Sequence, residues 1–306
     1  MTERRRRIGA YGVCRDAGGR VLLVRASPRS VRPGTWFLPG GGVDHGEHPA
    51  DAVVREVAEE TGLAVTVTGV RDVVAEVVAR PPLREHTDGV IYDVAVVGGV
   101  LRPEVDGTSD GARWVPPDEV AALPLSGLAA YALGVRAVPG PDPGPTGPAA
   151  APGRRPRPAR GQRFGAYGLV TGPDERLLLT LISDGYPSAG RWHLPGGGTD
   201  FGEQPAHGLL REITEESGQS GRIIGLLAVT NHHNRVAVGP DGHPVDWHSV
   251  RVVFQVTVPE PTPPRVLDAG GSTVEAAWFT RAETRTLALT DLASAVLGGG
   301  CRQDQP

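Results

Sequence analysis

The 306 residues carry 31 basic side chains against 35 acidic ones, a formal net charge of −4, with 43 Gly, 29 Pro and two Cys. That balance supplies no strong field to draw the chain onto nucleic acid or an anionic membrane, and Cys14 and Cys301 make no disulfide framework, so a reducing cytoplasm is expected. No apolar run approaches the roughly 18 residues of a membrane span, and the basic opening Met1–Arg7 is followed by too short an apolar stretch for a secretion signal.

Arg4–Arg7 reads as a short solvated tail, with a nucleic-acid or phosphate-binding arm as the alternative. Ile8–Val13 and Arg20–Arg25 flank Asp16-Ala17-Gly18-Gly19, the pattern of a hairpin. A loop then ends in Trp36-Phe37-Leu38-Pro39, where Trp36 is expected to pack against a sheet. After it comes the stretch that organises the chain, GGVDHGEHPADAVVREVAEETGL from Gly41 to Leu63. Pro49 suits a first helical turn and Gly62 a left-handed stop. Between them Ala50, Val53, Val54, Val57 and Thr61 form one helical face, which is expected to be buried. Glu56, Glu59 and Glu60, at i, i+3 and i+4, converge on the other. Alone they repel; a hard cation with oxygen ligands turns that cost into a site.

Short strands are expected next at Ala64–Val70, Val73–Val78 and Val90–Val97, then a strand bearing Trp114 and helices near Pro117–Leu123 and Ser126–Val135. Residues 138–163, with eight prolines among Gly, Ala and Arg, read as an extended linker whose arginines face solvent. The pattern then starts again. Gly165-Ala166-Tyr167-Gly168 repeats Gly9-Ala10-Tyr11-Gly12 between strands at Phe164–Thr171 and Arg176–Ile182. Adding 156 to Gly41 lands on Gly197, and GGTDFGEQPAHGLLREITEESGQ follows, with Leu209, Leu210 and Ile213 apolar and Glu212, Glu215 and Glu216 acidic. Strands at Ile223–Val229 and Val250–Val258, a strand bearing Trp278 and helical segments at Arg281–Leu287 and Thr290–Leu297 close the second half.

Both acidic segments resemble the signature box of the Nudix hydrolase family, Gly, five residues, Glu, seven residues, Arg-Glu-apolar, one residue, Glu-Glu, one residue, Gly-apolar. The first copy matches throughout; the second departs at its last position, Gln219, which is expected at most to loosen packing after the helix. The resemblance implies an α/β chain of two α/β/α sandwich domains, a mixed sheet between helices, at residues 1–137 and 164–298, with a Pro/Gly/Arg-rich linker at 138–163 and a loose tail at 299–306. It implies hydrolysis of a nucleoside diphosphate derivative with Mg²⁺, or Mn²⁺ in its place. Glu59, Glu60, Glu215 and Glu216 would be metal ligands, with the Gly40 and Gly196 carbonyls, and Glu56 and Glu212 further ligands or general bases. Glu47, Arg55, Glu203 and Arg211 would support them. A further carboxylate from a later segment has no clear position: Glu260 in the second half, or Glu76, Glu85 or Glu104 in the first.

Phe37 and His193 stand at matching wall positions beside the boxes, and His86 and His248 at matching strand entrances, as weaker substrate contacts; a histidine so placed is otherwise expected at the surface. Asn231-His232-His233-Asn234 is a denser polar cluster, but a metal site wants wider-spaced convergent ligands, so a loop or substrate-rim role comes first. Nucleotide-pool cleaning, including removal of oxidised deoxynucleoside triphosphates, is the favoured substrate class, ADP-ribose or another nucleotide sugar the next. Both halves are expected to be active and to differ in substrate, in a monomeric pseudo-dimer or a homodimer; a catalytic half paired with a sensing or scaffold half stays open.

Overall fold

The computed structural model describes residues 3–30, 32–80, 82–102, 104, 109–136, 159–239, 242–268 and 270–299. By contact the chain divides into two units, Met1–Gln162 with His233–His248, and Arg163–His232 with Ser249–Pro306. The first contains β1 (Glu3–Cys14), β2 (Val21–Ala26), β3 (Trp36–Phe37), β4 (Gly40–Gly42), α1 (Pro49–Thr61), β5 (Leu63–Arg80), β6 (Leu83–Gly99), β7 (Ser109–Val115), α2 (Pro117–Val120) and α3 (Gly127–Leu133). Its sheets run β4-β1-β6-β5 and β3-β2-β7. Strand β1 lies parallel to β6, from Glu3 opposite Leu83 to Cys14 opposite Val94, and antiparallel to β4, so the sheet is mixed.

Strand alternation places the helices. A Cβ on Gly12 would lie 3.1 Å from Val94 Cγ2 and 3.3 Å from Val53 Cγ2 of α1. Its neighbours Tyr11 and Val13 instead join Leu128, Ala129 and Ala130 of α3 in one buried core. Successive residues of a strand point to opposite faces, so α1 and α3 cover opposite sides of β1, the expected α/β/α arrangement. Within α1, Pro49 opens the helix, the His48 side chain accepts from the Ala50 N–H, and Gly62 closes it at φ 72°. The buried residues are Pro49, Ala52, Val53, Val57 and Thr61. Ala50 and Val54 are only partly covered, because docking against the sheet, which periodicity cannot specify, turns the buried stripe towards Ala52.

Two further expectations change. Arg4–Arg7 is part of β1, since its side chains find cross-strand partners: Arg6 holds the buried Asp88 carboxylate through two hydrogen bonds of 2.8 and 3.0 Å, and Arg7 donates to Thr87 and Tyr11. The first two of the three strands expected after the box are one long strand, β5, whose pairing with β6 shifts register near Val65, Gly69 and Asp72. Such bulges bend a strand without ending it.

The second set of elements is β8 (Ala159–Thr171), β9 (Leu177–Ile182), β10 (Trp192–His193), β11 (Gly196–Gly198), α4 (Pro205–Ser217), β12 (Arg222–Val238), β13 (Pro244–Thr257), β14 (Thr273–Phe279) and α5 (Asp291–Leu297), with a 3-10 turn at Glu283–Thr286 where a helix was expected. The sheet runs β10-β9-β8-β13-β12, with β11 on β8 and β14 on β9. Ile213 of α4 faces Gly168, while Tyr167 and Leu169 pack with Leu292, Ala293 and Val296 of α5, so the two helices again cover opposite faces. Residues 159–163, assigned to the linker by composition, are strand. The rest of that segment, 138–158, and the tail from Gly300 lie outside the described residues.

Candidate active site

The strand-turn-helix passage from β4 to α1 sets the site. Gly40 has φ +144°, and a Cβ there would fall onto the Ala10 carbonyl oxygen; Gly196 repeats this at φ +132° against Ala166. Only glycine fits such an approach. The bare backbone leaves room for the carboxylates: a side chain on Gly41 would strike Glu56, and one on Gly197 would lie 2.9 Å from Glu212 Oε1. The Gly40 N–H donates to Glu60 Oε2 at 2.9 Å, and the Gly196 N–H to Glu216 Oε2 at 2.9 Å. Gly40 and Gly196 thus meet the carboxylates through their N–H groups, a contact made beside any role of their carbonyls.

Arg55 is the organiser of the first site. It grips Glu47 with two hydrogen bonds of 2.9 Å, reaches Glu56 Oε1 at 2.8 Å and the Gly42 carbonyl at 3.0 Å, and touches Glu59 at 3.5 Å. Its main partners are thus Glu47 and Glu56. Arg211 repeats the fork on Glu203 at 3.0 and 3.2 Å, with Glu212 at 3.1 Å and Glu215 at 2.8 Å.

The environment splits the carboxylates. The Arg55 guanidinium holds Glu47 below the usual range, and Arg211 does the same for Glu203. Burial pushes Glu60 up to about 8 and Glu216 up to about 7, against the lowering pull of their N–H donors, and raises Glu56 and Glu212 as well. A helix face thus packs anionic groups into a setting that disfavours their charge.

Thr273 and Asp268 were not legible as sequence, whereas Glu104 stood among the candidates for a further carboxylate. Glu216 Oε1 accepts from Thr273 Oγ1 of β14 at 2.5 Å, and Asp268 lines a cleft with Glu212, Glu215 and Glu216. The backbone N–H groups of Arg102 and Arg265 bond the corresponding carbonyls of Thr61 and Ser217, each at 2.9 Å. Glu104 and Asp268 follow these anchors by two and three residues. Glu104 sits close enough to help raise Glu60 and accepts from Ser109 at 3.0 Å. Of the other candidates for a further carboxylate, Glu85 pairs with Arg5 and Arg7, Glu76 with Arg32, and Glu260 is exposed. An acid shortly after the segment that backs onto the helix C-terminus was the available signal.

His86 and His248 are fully buried, contrary to the surface expectation, because inward strand positions bring polar partners with them. His86 Nε2 lies 3.2 Å from Asp88 Oδ1, and His248 Nδ1 lies 3.0 Å from Gln162 Nε2. Phe37 and His193 lie on the short strands β3 and β10. His193 Nδ1 meets Thr290 Oγ1 at 2.6 Å, and burial lowers the imidazole to about 4. Gln219 is buried, yet its amide donates to the Ser217 and Thr262 carbonyls and accepts the Thr262 N–H, so packing after the helix is tight. A cleft between Val13, Arg20, Leu63, Val94 and Trp114 contains none of the box carboxylates.

The family model described as NUDIX domain matches residues 3–133 and 161–296. A protein named MutT-like protein from Streptomyces ambofaciens is 34% identical over 117 residues, 37% of this chain and 66% of that protein. One named putative 8-oxo-dGTP diphosphatase 3 from Mycobacterium tuberculosis H37Rv is 38% identical over 112 residues, 36% of this chain and 50% of that protein. The chain thus spans about half to just under two thirds of the length of these relatives. Among solved structures, a MutT NUDIX hydrolase from Burkholderia pseudomallei is 28% identical, with a TM-score of 0.38, covering 42% of this chain and 97% of its own.

Proposed function

Because the chain belongs to the Nudix family through both of its halves, we propose that it is a divalent-cation-dependent hydrolase of phosphoanhydride bonds in nucleoside diphosphate derivatives, with one reaction centre on α1 and another on α4. The observation that carries this reading is the duplicated constellation: three carboxylates on one helix face, a glycine approach, and an arginine fixed by a further glutamate, in both halves.

The residues fit a hard cation. Their donors are oxygens alone, which suits Mg²⁺ or Mn²⁺, and Glu60 and Glu216 are held where ionisation needs a compensating positive charge. Glu59, Glu60 and Glu56 would hold the ion in the first half, and Glu215, Glu216 and Glu212 in the second. When bound, such an ion supplies charge for the diphosphate oxygens and acidifies a coordinated water. The protein does the rest. Arg55 and Arg211 orient Glu56 and Glu212, each of which serves as a further ligand or takes the proton of the attacking water. Glu47 and Glu203 immobilise those arginines, so that the catalytic groups are positioned before substrate arrives.

The favoured substrate class is that of nucleotide-pool cleaning, oxidised deoxynucleoside triphosphates included, which the named relatives support; a nucleotide sugar such as ADP-ribose is the alternative. A release assay with the full chain and Mg²⁺ tests both. Hydrolysis of triphosphates to monophosphate and pyrophosphate supports the first, selective cleavage of ADP-ribose the second, and no turnover on any nucleoside diphosphate derivative rejects the proposal.

A further inference from the structure

Within the first unit, the loop between β4 and α1 carries His45, and residues 233–248 bring His233 and Asp246 to it. His233 Nε2 lies 2.7 Å from Asp246 Oδ1, and His45 Nε2 lies 3.2 Å from the same oxygen. One ligand atom from each residue falls within 4.8 Å of the others. Three ligands about 2.0–2.1 Å from a tetrahedral zinc ion stand roughly 3.4 Å apart, so small side-chain shifts bring these atoms to coordination. We propose that His45, His233 and Asp246 form a binding site for a zinc-class divalent transition metal, separate from the carboxylate centres on α1 and α4.

Four observations support a built site. His45 Nε2 is buried, stands 3.2 Å from Asp246 Oδ1 and makes no hydrogen bond among the described residues, while its side chain is 12% exposed. Asp246 Oδ2 faces Arg160 at 3.7 Å, which orients the carboxylate and leaves Oδ1 to the imidazoles. His233 is seated on bare backbone: a Cβ on Gly46 would lie 2.5 Å from its Nδ1. His248 walls the cluster, edge-on to His45 and His233 at ring-centroid distances of 5.4 and 6.1 Å, with its Nδ1 engaged by Gln162.

The donor set decides the metal class. Two imidazoles and one carboxylate favour Zn²⁺, Co²⁺ or Ni²⁺ over the hard ions suited to the all-oxygen boxes. Three protein ligands leave a fourth position for water or an anion. An ion here would also clasp the loop that carries Glu47, the residue that fixes Arg55. Occupancy therefore couples the supply of a zinc-class metal to the order of the first box.

The test titrates the metal-stripped full chain with Co²⁺ in excess Mg²⁺, reading the visible d–d bands of tetrahedral cobalt and their loss on adding Zn²⁺. One tight Co²⁺ per chain is expected. His45→Gln and Asp246→Asn should each weaken it by at least about a hundredfold, since even outer partners of a metal ligand are worth ten- to a hundredfold. Glu59→Gln and Glu215→Gln should leave the bands in place. X-ray absorption of the wild-type complex needs no variant: a shell with two imidazoles supports the site, and an all-oxygen shell overturns it. A wild-type chain without tetrahedral bands, or bands that persist in a folded His45→Gln chain, also overturns it.

Discussion

The Gly40 N–H donates to the Glu60 carboxylate across 20 residues of sequence, and Gly196 does the same for Glu216, each at 2.9 Å. This bond ties the turn before each box to the last turn of its helix. Gly40→Ala should destabilise the chain by at least about 1–3 kcal/mol, the cost of forcing a residue into a disfavoured backbone region. The collision with Ala10 adds to it. Urea unfolding measures the loss; an unchanged midpoint would show that the loop relaxes freely.

Removing one carboxylate tests the division of labour between the centres. Glu59→Gln and Glu215→Gln should each abolish one activity, lowering kcat by at least about a hundredfold. If the double variant turns over every substrate at the wild-type rate, the carboxylate assignment fails. A single variant that changes nothing marks its half as a scaffold.

The Gln219–Thr262 contact predicts a coupling. Thr262→Val removes the hydroxyl that accepts from Gln219, one of three acceptors around its buried amide nitrogen. It should cost about 1–2 kcal/mol, whereas the same change in a Gln219→Leu background should cost less. A double-mutant cycle by chemical denaturation reads the difference, and additive effects would refute it.

His193 makes stability depend on pH. Above pH 6.5 its imidazole is neutral in both native and unfolded chains. Between 6.5 and about 4 the unfolded chain binds a proton that the native one refuses, so stability falls as pH falls, by up to about 3 kcal/mol. The Thr290 hydroxyl caps Ala293 with its oxygen and can direct its proton to His193 Nδ1, a bond that the imidazolium cannot accept. His193→Phe, which installs the residue found at Phe37, should flatten the loss between pH 7 and 5 in unfolding titrations. An equal slope in both chains would assign the acid sensitivity elsewhere.

Spacing along the chain was enough to read the two boxes, their helices and the groups that converge there, because helical geometry maps i, i+3 and i+4 onto one face whatever surrounds it. The same local rules located Pro49 and Gly62 at the ends of α1 and separated the acidic face from the apolar one. They could not say which apolar stripe would dock, and Ala52 is buried where Ala50 was expected. They could not see that Arg6 and Arg7 had partners, since Asp88 and Thr87 lie 82 and 80 positions away. His233 shows the limit most clearly. Its neighbours in sequence offer no convergent ligand set, and folding supplies His45 and Asp246 from remote segments. Sequence by itself determined the repeated box and its chemistry, which depend on contacts within a few helical turns. Tertiary structure decided the depth of each carboxylate, the use of Glu104, Asp268 and Thr273, and the histidine cluster, because burial and long-range convergence exist only once the strands are paired.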